Sequence, residues 1–330
     1  MKLNFIIPVS NSDVTINEII RNLARQKNQY FDISIIIDKP NDLFLEQIFA
    51  AKKLFKGSRF KLIFNSKRQS MNQTIAKVLE ESKSLYTHIF TPGVDIENDW
   101  TETILKIIDS QSPDIIETRA NYRGMIKYDE PIIKIETNKL IELKTNNKPI
   151  AYSSPILFNK VFKTRLLKSI YSNPLLKSNN KQYSVDIIYT AFLNTETYYL
   201  VDSIVTRDWN YNITNFNVLN FVKEWNYIKS IMPCETKTQN DLYQFIKFYH
   251  YQIFLAGNLG HISHWKMMIY GKKINTTSIE NQLVNELNKM YSDFESLSNN
   301  MFLKSTIFYD FLDEQYINID NWKYILDKII

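Results

Sequence analysis

Apolar residues gather in short continuous runs through the first third of the chain and in helical spacing through the last third. The run LNFIIPV at residues 3–9 is unbroken by polar side chains apart from Asn4 and stops near Pro8, the pattern of a strand buried on both faces. Ser10, Asn11, Ser12 and Asp13 then offer helix caps, and Ile16, Ile19, Ile20 and Leu23 recur at helical spacing. ISIIID at residues 33–38 is a second β-branched run, broken by Lys39, Pro40, Asn41 and Asp42. Residues 43–55 read as a helix closed near Gly57, and FKLIFN at residues 60–65 as a third strand. A helix over residues 71–83 and a fourth strand, YTHIF at residues 86–90, complete the series. Strands alternating with helices of this length predict a parallel α/β sheet, whose ligands sit beyond the carboxyl ends of the strands. The loops after Pro8, Asp38, Asn65 and Phe90 are therefore the ones to watch.

Beyond this block, residues 113–143 are strand-like and mixed, with DIIETRANY and PIIKIET, and helical spacing returns from Phe158. After about Asn215 the chain is nearly all helical and rich in aromatics: Leu242, Phe245, Ile246, Tyr249 and Ile253 share one face. Thr277 and Glu280 have capping-box spacing, and Ile279, Leu283, Leu287, Met290, Phe294 and Leu297 follow at near-heptad intervals. Trp322, Ile325, Leu326 and Ile329 end the chain in the same manner. Two regions follow, an α/β part over residues 1–214 and a helical part over residues 215–330, with no internal repeat and no low-complexity linker between them.

Composition narrows the chemistry. At 330 residues with 44% hydrophobic and 23% charged side chains, the chain is an ordinary globular one with room for a large core. A net charge of +5 permits a phosphate-bearing ligand or an anionic membrane surface and asks for neither; no nucleic-acid motif accompanies it. No apolar run approaches the roughly 20 residues that span a bilayer, and the opening MKLNFIIPVSNSD is too short in apolar residues for a secretion signal. A cytoplasmic protein is expected, either free or peripheral on the inner face of the membrane. Cys234 is the single cysteine, which excludes an internal disulfide and a cysteine metal cluster. Six glycines are too few for a glycine-rich phosphate loop, and neither GxGxxG nor GxxxxGK[ST] occurs. His261 and His264 stand three apart with no acid nearby and read, with His250, as part of a helical aromatic face. Trp209, Trp225, Trp265 and Trp322 have the side chains that stack on sugars or sit at a membrane interface, although core packing is their more frequent fate.

The stretch HIFTPGVDIENDW at residues 88–100 runs from a strand into an acidic loop, a common way to hold a metal or a phosphate. Set beside the other loops, it gives the chain a family likeness. NFIIPVSNSD, IIRNLARQKNQYFDISIIIDKPND, FNSKRQSMNQTIAKVLEES, YTHIFTPGVDIENDW, PILFNKVFKTRLLKS and YSVDIIYT, in that order over residues 1–210, resemble the motifs of the family-2 glycosyltransferases, which have the GT-A nucleotide-sugar fold. Gln26, Phe31, Asp32, Asp38, Asp42, Asn159, Lys160, Phe162 and Asp186 match that pattern. Ile37, Lys39, Pro40, Ser70, Ile75, Ala76 and Val185 depart from it, and Pro92 and Val94 stand where the Asp-x-Asp metal motif has its acids, leaving Asp95.

The resemblance implies a GT-A domain over residues 1–214 and a helical region, residues 215–330, that docks an acceptor, a partner protein or a membrane surface. It implies a nucleotide-sugar donor, UDP-linked in the simplest case, bound by Pro8, Ser10, Asp38, Lys67, Arg68 and Asp95. Mn2+ or Mg2+ would be held weakly through Asp95, helped by Glu97, because a cation on a diphosphate takes only one or two carboxylates; Lys67 or Arg68 would otherwise neutralise the phosphates directly. Asp186 falls at the place of the base that deprotonates the acceptor hydroxyl, on a glycan, glycolipid or glycoprotein. Each residue also has a plainer reading. Asp38 caps a turn before Pro40, TPGVDIEND is a surface turn, and Asp186 is a first-turn acid favoured by the helix dipole. Two functions therefore stand side by side: a sugar transferase, or a non-catalytic subunit of the same fold that binds a partner transferase or a glycan.

Overall fold

A computed structural model of the chain describes residues 1–9, 16–38, 42–55, 59–66, 69–91, 93–123, 128–129, 134–176, 184–209, 216–260 and 277–306. The first four strands are β1 (Leu3–Val9), β2 (Asp32–Asp38), β3 (Arg59–Asn65) and β4 (Tyr86–Ile89), with α1 (Ile16–Ala24), α2 (Asp42–Lys52) and α3 (Met71–Glu81) between them. They pair in parallel in the order β3-β2-β1-β4. Burial explains the sequence pattern. β1 and β2 are covered on both faces, so their runs are continuously apolar, whereas β3 is the sheet's edge and alternates exposed with half-buried positions. A capping box starts α3, with the Gln73 amide donating to Ser70 Oγ at 3.2 Å and the Gln73 side chain accepting from the Ser70 amide.

The chain continues through β5 (Val94–Ile96), α4 (Trp100–Ser110), β6 (Ile115–Tyr122), β7 (Tyr128–Asp129), β8 (Leu140–Glu142), α5 (Lys148–Tyr152), β9 (Lys160–Lys163), α6 (Thr164–Tyr171), α7 (Val185–Leu193) and β10 (Thr197–Asp208). One ten-stranded sheet results among the described residues, with the order β3-β2-β1-β4-β9-β6-β10-β5; β7 adds to β6 and β8 to β10. β9 is antiparallel to both neighbours, while β6 and β10 run parallel to one another. β10 is twelve residues long and serves two partners on the side away from β6, with β8 at its beginning and β5 at its end; its register against β6 shifts between Val201 and Val205. Of the expected strand PIIKIET, residues 131–133 lie outside the described residues and residues 134–137 are not a strand.

The helical region holds α8 (Val218–Ile231), α9 (Lys237–Phe248), a π-helical segment (Tyr249–Ala256), α10 (Gly257–Gly260), α11 (Thr277–Tyr291), α12 (Phe294–Ser298) and α13 (Met301–Lys304). Ser292 and Asp293 interrupt the expected heptad run: the Asp293 side chain caps α12 by accepting from the Ser296 amide. All eight residues of the π-helical segment are buried, so this helix has no solvent face to keep polar. Trp225 is 1% exposed and packs in the core against Tyr189, Tyr243 and His250. Trp265, Trp322, His261 and His264 lie outside the described residues. One hydrophobic core runs through both parts of the chain. Tyr122 at the end of β6 meets Phe254 of the π-helical segment, and Tyr152 of α5 meets Phe245 of α9.

Candidate functional site

Register fixes which residues share the carboxyl edge of the parallel strands. Pro8 stands beside Ile36, Val9 beside Ile37, and Asp38 beside Asn65. The carbonyl of Ile6 accepts from the Phe90 amide, so it points to β4, and Pro8, two residues on, points the same way. The β1–β4 pairing ends at Ile6 and Ile89, so the missing N–H of Pro8 breaks no ladder bond. Asp38 is half-buried, and its Oδ1 accepts from Asn65 Nδ2 at 2.9 Å. Pro8, Asp38 and Asn65 are thus three polar or shaped positions at the ends of adjacent strands, with one oxygen of the Asp38 carboxylate held by Asn65. Ser10, Lys67 and Arg68 lie outside the described residues.

After β4 the chain turns through Gly93, whose φ of 94° is the left-handed backbone that glycine adopts at no steric cost. The Val94 amide donates to the Thr91 carbonyl across that turn, and the Trp209 amide to the Gly93 carbonyl at 2.8 Å. β5 then runs antiparallel to the end of β10, with Val94 opposite Asp208 and Asp95 opposite Arg207. Asp95 is half-buried and accepts from the Asn22 side chain, whose amide also brackets Ile96 by donating to its carbonyl at 3.2 Å and accepting from its N–H at 3.3 Å. Asn22 sits in the last turn of α1, ~9 Å along the axis from the helix start. Asp95 is therefore tied to α1 rather than to Asp38. Glu97, two residues on, pairs with Arg207 at 2.7 Å. Among the described residues no group of three or more His, Cys, Asp or Glu converges. These residues alone do not fit the cage that a protein-bound divalent ion needs.

Asp186 opens α7 and is only 2% exposed, buried rather than open to a cleft. Its Oδ1 accepts from the Ile187 amide at 2.8 Å. Ser184, at the N-cap position, makes no side-chain capping bond; the Val185 amide instead donates to Oε2 of Glu224, from α8, at 2.9 Å. Burial pushes the nearby Tyr171 phenol up, and the Asp186 carboxylate adds to that rise.

Sequence reading missed a fully buried, multiply bonded carboxylate in the sheet. Glu117 of β6 is fully buried and accepts from the Ser153 hydroxyl, from Asn159 Nδ2 at 3.0 Å and from Tyr198 Oη at 2.9 Å. Lys160 Nζ, also fully buried, lies 3.1 Å away and donates to the carbonyls of Ser154 and Ile156 at 2.6 and 3.0 Å. The available signal was slight, an acid directly after the apolar pair Ile115 and Ile116 in a strand with other polar residues. Asn159 and Lys160 were legible only as members of a family-like segment, without their partner.

No protein-family model matches the chain, and no curated protein sequence does. Solved structures do. TarS from S. aureus, residues 1–349, is 16% identical and superposes with a TM-score of 0.64 over 99% of this chain and 91% of that chain. The complex of the same protein with UDP-GlcNAc gives 0.65 over the same shares. A mannosyltransferase from Pyrobaculum calidifontis, PcManGT, in complex with GDP-Man and Mn2+, is 9% identical with a TM-score of 0.54 over 92% of this chain and 85% of that one. At such identities the likeness is one of fold: a mostly parallel sheet flanked by helices, of the GT-A kind, with the C-terminal helices included in the match.

Proposed function

We propose that the chain is a glycosyltransferase that takes a hexosyl group from a nucleotide donor, UDP-linked, and passes it to a hydroxyl of a glycan, lipid or protein. The observation that carries this reading is the superposition on TarS, solved with UDP and with UDP-GlcNAc, over 99% of the chain. The site is in keeping with it. Pro8, Asp38 and Asn65 lie at the strand ends where open α/β sheets bind nucleotides, and a carboxylate there accepts the N–H of a base. Ser10, Lys67 and Arg68 follow these strands in sequence and would add to the donor pocket, with Lys67 or Arg68 neutralising its phosphates. Asp95 is the carboxylate left near the position of the family's metal motif. A divalent ion used here would travel on the donor's diphosphate and take little from the protein.

In the transfer step Asp186 accepts the proton of the acceptor hydroxyl while the new bond to the anomeric carbon forms and the bond to the diphosphate breaks, releasing the nucleoside diphosphate. The burial of Asp186 does not disqualify it, since catalytic hydrogen bonds tighten in the substrate complex. No described helix is long and apolar enough to cross a membrane. In this reading the chain works at the cytoplasmic side, and residues 215–330 dock the acceptor, a partner protein or the inner membrane face.

Calorimetry with UDP and GDP, followed by hydrolysis assays over a panel of nucleotide sugars with and without Mn2+, tests the reading. UDP binding and turnover of at least one UDP-sugar are expected. Failure to bind either nucleotide ends the nucleotide-sugar reading. Binding without turnover of any donor, with glycan acceptors present, leaves the non-catalytic subunit in its place.

A further inference from the structure

We propose that Glu224, which lies outside every motif of the sequence, is the residue that positions Asp186. The inference rests on the reading of Asp186 as the acceptor base and adds to it a carboxylate supplied by the helical region. Glu224 lies on the buried face of α8 with Phe221, Trp225 and Ile228, at i, i+3, i+4 and i+7 spacing, and is 4% exposed. A carboxylate in the middle of an apolar helix face is costly unless it is hydrogen-bonded. Here it accepts the Val185 amide at 2.9 Å, one of the first-turn donors that a helix leaves without an internal partner.

Two backbone amides in the first turn of α7, those of Val185 and Ile187, are thereby held by carboxylates. Asp186 Oδ1 takes the Ile187 amide from within the helix, and Glu224 takes the Val185 amide from a helix 39 residues further along the chain. Ser184, which could have capped this turn, does not. The family pattern has an acid directly before the base; here that position is Val185, apolar and fully buried. Glu224 brings a carboxylate to the backbone of that same residue from another element. Anchoring the Val185 amide sets the backbone of the turn that aims Asp186. A base has to be held to within about 0.5 Å and 10–20° to be effective.

Steady-state kinetics on a donor and acceptor that the wild type uses, together with UDP calorimetry and thermal unfolding, test the idea. Glu224→Met matches the side chain in size and removes the acceptor. This variant leaves the Val185 amide without its acceptor, so it should fold with a somewhat lower Tm, bind UDP normally, and lose about 100-fold in kcat with the donor KM unchanged. Glu224→Gln restores an acceptor oxygen and should recover most of that loss. Combined with Asp186→Asn, Glu224→Met should cost no more than Asp186→Asn alone, because one residue acts through the other. Wild-type kcat in Glu224→Met overturns the proposal, as do a loss carried by KM or UDP affinity, multiplicative effects in the double variant, or Glu224→Gln as slow as Glu224→Met. Should Glu224→Met not fold, Glu224→Leu, alone and with Asp186→Asn, takes its place under the same criteria. A wild type that neither binds UDP nor turns over a donor is a different failure, that of the glycosyltransferase reading itself.

Discussion

Two imidazoles in the described core are uncharged at neutral pH, and acid has to charge both. His88, in the middle of β4, is fully buried; its Nδ1 lies 2.9 Å from the Lys160 carbonyl, which only accepts, so Nδ1 carries the proton. Its Nε2 has no partner, and the ring is surrounded by Phe5, Phe90 and Trp100. His250 is the reverse case. Trp225 Nε1 donates to its Nδ1 at 3.1 Å, so the proton is on Nε2, also without a partner, among Phe221, Tyr251 and Phe254. Burial pulls His88 from 6.5 to about 4 and His250 from 6.5 to about 3. The unfolded chain takes up both protons near pH 6.5 and the folded chain resists until far lower. The stability these groups contribute is therefore present above pH 6.5 and lost as pH falls toward 4 and 3. Between pH 7 and pH 5 each costs about 2 kcal/mol, together about 4 kcal/mol, a large part of a net stability of about 5–15 kcal/mol. Urea unfolding followed by tryptophan fluorescence at half-unit steps from pH 7.5 to 5.0 should show the free energy falling with a slope of nearly two protons below pH 6. His88→Asn, whose amide can still donate to the Lys160 carbonyl, should lower the slope by one proton, and His250→Asn likewise. A flat profile in the wild type, or a two-proton slope surviving in His88→Asn, refutes the reasoning.

Other outcomes follow from the site and its support. Asp38→Ala should weaken UDP binding by about 10–100-fold, the worth of one hydrogen bond to a charged group, as read by calorimetry. Asp186→Asn should lower kcat by about 10²–10⁴ and leave UDP affinity near that of the wild type, as read from steady-state rates and calorimetry. Lys160→Met strands the buried Glu117 carboxylate and should cost about 3–5 kcal/mol in urea unfolding, with Lys160→Met/Glu117→Leu recovering much of it. Manganese alone should give little heat on titration into the protein, and more once UDP is present; a tight nucleotide-independent site would place the ligands elsewhere.

Most of the α/β scaffold was legible because burial writes itself into composition. β1, β2 and β4 are covered on both faces, so β1 and β2 are mostly continuous apolar runs and the polar Thr87 and His88 of β4 are buried with its apolar residues, and α1 and α3 show one apolar stripe each. β5, β8 and β9 were not legible: three or four residues carry too little periodicity, and their strand character comes from partners distant in sequence. The π-helical segment shows only as a run of aromatics. At the site, Asp38 could be found because it ends a recognisable strand. The bonds that define its surroundings could not: Asn65 is 27 residues from Asp38, Asn22 is 73 from Asp95, and Glu224 is 39 from Val185. Glu117 and Lys160 are 43 residues apart by their numbers, and nothing in either local pattern announces an ion pair between strands.

The strand order also bears on how the chain comes to be folded as it is made. β1 to β4 complete their mutual pairing within the first 90 residues, but β5 and β6 have no partner in that block. Among the described residues β5 pairs only with β10, and β6 lies between β9 and β10, with β7 as its near neighbour in sequence. Ribosomal synthesis proceeds at about 5–20 residues per second, so residues 94–122 wait roughly 6–20 s for residues 197–208 to be made. Through that interval VDI is an unpaired strand, IIETRANY has only β7 beside it until residues 160–163 arrive and one open side thereafter, and the carboxylate of Glu117 is without Tyr198. Nascent chains stalled between residues 130 and 195 should accordingly be the forms most dependent on chaperones, and the sheet closes only when its last strand arrives.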